Sequence, residues 1–290
     1  MTKQEFTNLL KKGPFILDGA TGSNLRLAGM PAGVCSEVWI NEHPEPFQKL
    51  QRAYVQAGSM AVYAPTFLAN RFNLASRGLE AEVKRLNMEN VQISKEAVQG
   101  SAYIAGNLST TSQALEPMGT MTYEKLLDIY REQIAYLCEA GVDYLAAETL
   151  LSLDEAMVIC DAAAAECDLP LTLSFTCEGD GSLYFGGSLV EAAVVLQEMG
   201  ADAVGLNCAV GPDQLEAVVS NLKSNIDIPV LTKPNAGIPS IDVQGVAHYS
   251  MDADTFAGCM KKLYDKGASV LGGCCGTTPE YIQKMCAALG

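Results

Sequence analysis

The sequence predicts one (β/α)8 barrel, a TIM barrel, as a single domain over residues 1–290. Three observations lead there. Eight short apolar runs alternate with amphipathic segments about a dozen residues long, the pattern of a parallel sheet covered by helices. A glycine phrase recurs just before several of the runs. Polar residues recur just after them. Eight repeating units in one chain favour a closed barrel over a doubly wound sheet.

The runs are Phe15-Ile16-Leu17-Asp18, Ala61-Val62-Tyr63, Tyr103-Ile104-Ala105-Gly106 and Tyr144-Leu145-Ala146-Ala147-Glu148. They continue with Leu171 to Phe175, Ala203 to Asn207, Val230-Leu231-Thr232 and Ser269-Val270-Leu271. Between them, helix-like stretches cover Thr122 to Ala140, Ser152 to Cys167, Ser188 to Met199 and Pro212 to Leu222. Ala57-Gly58-Ser59, Ala140-Gly141-Val142, Met199-Gly200-Ala201 and Lys266-Gly267-Ala268 each place a glycine where a helix ends and the next strand begins. Those turns belong to the bottom of the barrel. The opposite rim carries the chemistry in this architecture. It collects Asp18, Thr66, Asn107, Glu148, Asn207, Cys208, Asn235, Cys274 and Cys275.

Composition narrows the function. The apolar fraction of 49% suffices for a large core, and no run is long and apolar enough to read as a membrane span. The start, Met1 to Phe6, has neither the basic nor the apolar region of a signal peptide. Ten cysteines without an export signal read as reduced thiols in the cytoplasm. A net charge of -15 argues against nucleic acid and anionic membranes as partners.

Chemistry concentrates in Gly272-Gly273-Cys274-Cys275-Gly276-Thr277-Thr278-Pro279. Successive strand residues face opposite ways, so two adjacent thiols serve one target only where the backbone leaves strand geometry. Flanking glycines permit that departure. Cys208 ends another strand-like run, and three thiolates from two strand ends make an open soft-metal site suited to zinc. Packing is the competing account of cysteine. It is assigned to Cys138, Cys160, Cys167, Cys259 and Cys286 in helix-like segments, with Cys35 and Cys177 incidental. A second account makes the same stretch a phosphate cradle, with Pro279 opening a helix and a threonine as its cap. With only His43 and His248 in the chain, both expected at surface or turn positions, a histidine-based metal site is nearly excluded.

Read in order, Asp18-Gly19-Ala20-Thr21-Gly22, Glu148-Thr149, Gly205-Leu206-Asn207-Cys208, Pro234-Asn235-Ala236-Gly237 and the Gly272–Pro279 stretch form a recognisable set. From about Phe15 onward the chain resembles the homocysteine S-methyltransferase family, most closely the homocysteine-binding module of cobalamin-dependent methionine synthases. That resemblance implies a (β/α)8 barrel in which Cys208, Cys274 and Cys275 bind zinc and the homocysteine sulfur is the exchangeable fourth ligand. It implies that Glu148 accepts from the substrate ammonium. Asp18 with Gly19 offers a tight loop for the carboxylate, and Thr66 and Asn207 are supporting contacts. Asn235 lines the same rim or shapes it.

The resemblance also implies a methyl donor, methylcobalamin or 5-methyltetrahydrofolate, brought by separate modules or proteins: a corrinoid protein and a methyltetrahydrofolate-binding partner. Relatives that use S-methylmethionine, S-adenosylmethionine or betaine keep open a stand-alone methyltransferase. An account of another class is a zinc or thiol subunit without chemistry of its own; Glu148 counts against it.

Overall fold

The structure, a computed structural model, describes residues 1–242 and 247–290. Ten strands occur among them: β1 (Phe15–Ile16), β2 (Ala61–Tyr63), β3 (Tyr103–Ser109), β4 (Tyr144–Leu150), β5 (Leu171–Phe175), β6 (Ala203–Asn207), β7 (Val230–Lys233), β8 (Pro239–Ile241), β9 (Ala247–Tyr249) and β10 (Ala268–Leu271). Eight of them form one parallel sheet in the order β1-β10-β7-β6-β5-β4-β3-β2. Strands β1 and β2, at the ends of that order, meet across a short seam. The Met60 N–H donates to Ile16 O at 2.7 Å, and Tyr63 N–H donates to the Asp18 carboxylate at 2.8 Å. A side chain at the rim thus helps close the barrel. Strands β8 and β9 pair antiparallel as an exposed hairpin after β7.

Alternation along the strands builds two cores. Phe15, Leu17, Ala61, Tyr63, Ala105, Tyr144, Ala146, Ala203, Leu231 and Val270 face inward and fill the barrel, with Phe6 of the helix Lys3–Leu10 joining them. Phe6 meets Phe15 edge-on, ring centroids 5.4 Å apart. The intervening residues Ile16, Val62, Ile104, Leu145, Leu173 and Val204 face outward into the larger core under the helices. The barrel is therefore packed below its rim, which leaves space for a ligand only at the top.

The predicted punctuation is in place. Gly58, Gly141, Gly200 and Gly267 all have positive φ, between 72 and 111°, where a side chain would be strained. At the rim, Thr122, Ser152, Ser188 and Asp252 cap the next helices through their side-chain oxygens, each worth about 1 kcal/mol. The segment between β1 and the helix Pro44–Gln56 adds two short helices, Gly22–Leu27 and Ser36–Glu42, beside the rim. No helix among the described residues is long and apolar enough to cross a membrane.

Candidate active site

Cys208 follows β6 directly, with φ +50°. Its backbone N–H donates to Lys233 O at 3.2 Å, and its carbonyl accepts from Thr176 Oγ1 at 3.2 Å. These two bonds hold a non-glycine residue in the left-handed region, and the turn swings the thiol over the rim.

The Gly272–Gly276 loop after β10 is fixed by its own amides. Gly272 N–H donates to Thr232 O, Gly273 N–H to Asp18 O, Cys274 N–H to Pro234 O and Gly276 N–H to Ser23 Oγ. Thr277 Oγ1 donates to Cys274 O at 2.7 Å and accepts from Ala20 N–H at 3.1 Å. Those commitments bear on the phosphate-cradle account, since the amides and the threonine that would hold an anion already hold the loop. Thr278 stands at the cap position of the helix Pro279–Leu289 without a side-chain bond. Gly276 has φ +83°, and a Cβ there would lie 2.3 Å from the ring of Tyr249 in β9.

The result is one cluster. The three sulfurs of Cys208, Cys274 and Cys275 lie within 4.8 Å of one another, and Cys208 Sγ is 3.6 Å from Cys275 Sγ. Thiolates 2.3 Å from a tetrahedral zinc stand about 3.8 Å apart along each edge. The cluster fits such an ion and is far too open for a disulfide. The thiols also share protons. Cys208 and Cys274 donate toward Cys275, with Tyr249 adding a contact, and these hold the Cys275 thiol down to about 3. Donation by Cys274 alone would lower Cys208, but its own donation to Cys275 and burial prevail and push it up to about 12. Cys274 rises well above the usual thiol range because it donates to Cys208 and Cys275 and is buried.

Beside the cluster opens a cavity of about 410 Å³. The sulfurs, Asp18, Gly19, Asn107, Glu148 and Lys233 line it, together with the apolar Leu25, Ile40 and Phe67. Glu148 receives Asn107 Nδ2 at 3.0 Å on Oε1 and Lys233 Nζ at 3.4 Å on Oε2. Lys233 also reaches Asp18 Oδ1 at 3.2 Å and sits 3.6 Å from the centre of the Tyr63 ring. Burial alone would lower the lysine pKa, but the Glu148 and Asp18 carboxylates outweigh it and hold the ammonium firmly charged. Asn107 Oδ1 is buried without a hydrogen-bond partner, an acceptor left free beside Glu148.

Two expected contacts stand behind the cavity wall. Thr66 is fully buried, its hydroxyl donating to Asn107 O at 2.9 Å and accepting from Asn107 N–H at 3.1 Å. Asn207 is equally buried; its Oδ1 accepts from Thr149 N–H at 2.7 Å and Ser174 Oγ at 2.9 Å, while its Nδ2 donates to Thr149 Oγ1 at 2.8 Å. Thr149 is β-branched and has φ +62°, a strained conformation next to Glu148 that Asn207 clamps. Asn235 donates to Ala209 O at 2.6 Å and leaves its Oδ1 without a partner. His43 stacks on Trp39 and His248 pairs with Asp242, both outside the cluster.

Lys233 and Tyr249 are the residues that sequence reasoning passed over. A lysine directly after an apolar strand and before a proline was a usable signal for the first. The hairpin that carries Tyr249 had none.

A model of the family described as homocysteine S-methyltransferase matches residues 15–289. Methionine synthase of Mycobacterium tuberculosis is 28% identical over 303 residues, taking in 98% of this chain and 25% of that protein. Methionine synthase of Mycobacterium leprae is 28% identical over 290 residues, 94% of this chain and 24% of that protein. The chain thus spans about a quarter of the length of these curated relatives. Among solved structures, the homocysteine methyltransferase MmuM from Escherichia coli matches in its metallated form with a TM-score of 0.80 at 22% identity, covering 97% of this chain and 98% of that one. Its oxidized form matches at 0.79 and 23% identity, covering 94% and 95%. At such identity the likeness establishes the shared barrel fold.

Proposed function

The chain belongs to the homocysteine S-methyltransferase family, and from that premise we propose that it is a zinc-dependent enzyme converting homocysteine to methionine. The observation that carries this reading is the convergence of three thiols in the wall of a cavity that also presents carboxylates. Cys208, Cys274 and Cys275 would hold the zinc and leave one tetrahedral position open. An ion held there would lower the pKa of an incoming thiol, so that the substrate would be a thiolate near neutral pH.

The chain's own residues supply the rest. Glu148, oriented by Asn107 Nδ2, accepts from the substrate ammonium, and the Asp18–Gly19 turn frames the carboxylate end. A Cβ on Gly19 would lie 2.7 Å from Thr277 Oγ1 and Tyr54 OH, so the backbone there approaches its neighbours as only glycine can. Thr66 fixes Asn107 from behind, and Asn207 fixes Thr149 and through it Glu148. Leu25, Ile40 and Phe67 make part of the cavity wall apolar. The homocysteine thiolate would then form its bond to the methyl carbon as the carbon–donor bond breaks, the donor departing with that electron pair and the thioether leaving as methionine.

For the donor, the reading is methylcobalamin or 5-methyltetrahydrofolate delivered by a corrinoid protein and a methyltetrahydrofolate-binding partner, as separate modules or proteins. Supporting it, the matched methionine synthases are about four times as long as the stretch they share with this chain. The stand-alone alternative, with S-methylmethionine or S-adenosylmethionine, draws on the near-complete coverage of MmuM. We read residues 1–290 as one homocysteine-binding barrel working in the cytoplasm. Metal content of the purified protein, followed by methionine formation with each donor in parallel, tests the proposal. Near-stoichiometric zinc with turnover from methylcobalamin supports it, and turnover only from a sulfonium donor selects the alternative. Absence of zinc after reducing preparation sinks the metal reading.

A further inference from the structure

Among the described residues lining the cavity, Lys233 is the single cation; Asp18, Glu37, Glu148, three thiols and the Tyr63 phenol make up the rest of its ionisable wall. We propose that Lys233 is the charge selector of this site, the residue that lets an otherwise anionic cavity admit a carboxylate-bearing thiol. The inference rests on the reading above, that the cavity takes an amino-acid thiol. Such a substrate carries a carboxylate and reacts as a thiolate, two negative charges against one ammonium. Without a fixed positive charge, each would enter a low-dielectric space already held by like charges, where repulsion is weakly screened.

The geometry shows a charge held in place. Nζ is 3.2 Å from Asp18 Oδ1, 3.4 Å from Glu148 Oε2 and 3.6 Å from the Tyr63 ring centre, three contacts that fix the ammonium. The side chain is 4% exposed, and the backbone carbonyl of the same residue accepts from Cys208 N–H. One residue therefore ties the two rim carboxylates to the strand end that carries a thiol. Here one cation spans two carboxylates that both line the cavity, and it lowers their combined charge from two negative units to one.

The test is calorimetric binding of three thiols to the zinc-loaded protein: L-homocysteine, 4-sulfanylbutanoate (no ammonium) and 3-sulfanylpropylamine (no carboxylate). A unit charge roughly 10 Å away at an effective dielectric near 20 alters an affinity by about tenfold. In Lys233→Met the anionic thiol should weaken about tenfold and the cationic one should tighten about tenfold, an approximately hundredfold swing in their ratio. Lys233→Arg should keep the wild-type ratio. Because the readout is a ratio within one preparation, partial misfolding does not affect it, and Lys233→Gln, which can still donate to Asp18, replaces the methionine variant if that fails to fold. A ratio in Lys233→Met or Lys233→Gln within threefold of wild type, with all thiols weakened alike, would overturn the inference and leave the parent reading standing. Wild-type protein that binds none of the three thiols would overturn both.

Discussion

Zinc added to the metal-free protein should release two protons, not three. All three cysteines must be thiolates to hold the ion. Three ordinary thiols, with pKa values near 8.5, are almost fully protonated at pH 7 and would release about three. Here Cys275 is already ionised, held down to about 3 by donation from Cys208 and Cys274 and by Tyr249. Cys208, pushed up to about 12, and Cys274, also raised well above the usual thiol range, retain their protons. Apparent zinc affinity should accordingly rise about a hundredfold per pH unit between pH 6 and 8, as two protons leave per ion, against roughly a thousandfold for three independent thiols. The sign follows from the direction of each shift. The depressed Cys275 is ionised throughout that window and contributes no slope, whereas the two raised thiols must ionise on binding and each contributes one unit. Calorimetry in buffers of different ionisation enthalpy counts the protons, and chelator competition across pH gives the slope. Three protons released at pH 7 would show that the thiols do not share a charge, and the proton-sharing cluster described above would be wrong.

Other perturbations separate the parts of the site. Glu148→Gln should raise the half-saturating homocysteine concentration tenfold or more, as a charged hydrogen bond worth about 1.5–3 kcal/mol is lost, while zinc content by elemental analysis stays unchanged. Unaltered half-saturation would remove Glu148 from the ammonium site. Gly276→Ala combines a left-handed φ of +83° with a Cβ placed 2.3 Å from the Tyr249 ring. It should cost at least about 1–2 kcal/mol from the backbone alone, seen as a lower Tm and weaker zinc binding; an unchanged melting curve would contradict the geometry. Asn207→Ala removes the clamp on the strained Thr149 and should raise KM for homocysteine without reducing zinc occupancy. Adding Thr149→Gly, which relieves φ +62°, should recover part of the loss, and failure to recover would mean that Asn207 acts by another route.

How much of this was legible in the sequence depends on which physical signal each residue leaves. The barrel was legible because inward Phe15, Leu17, Tyr63 and Tyr144 and outward Ile16, Val62 and Leu145 are all apolar, so a strand buried on both faces appears as an unbroken run. The rim was legible because each run stops at a polar residue, and that rule located Asp18, Glu148, Cys208 and the paired cysteines. The same rule does not say where a side chain points. Thr66 and Asn207 stand at strand ends, as expected, yet their polar atoms turn into the wall to bond Asn107 and Thr149.

Lys233 shows the limit most clearly. The apolar run stops at Thr232, while the strand itself includes Lys233, a residue type ordinarily solvated. What buries it is a pair of carboxylates 215 and 85 positions away in the chain. Local patterning carries no trace of a charge balanced over that separation. The balance also runs in both directions. Asp18 and Glu148 draw the lysine into the barrel, and the lysine allows two carboxylates to stand side by side next to three thiols. Removing the lysine leaves two carboxylates in the wall with no cation to offset them, whereas removing either carboxylate leaves a one-to-one ion pair. The selectivity of the cavity and the stability of its rim are for that reason a single electrostatic problem, and a substitution that alters the first should be expected to alter the second.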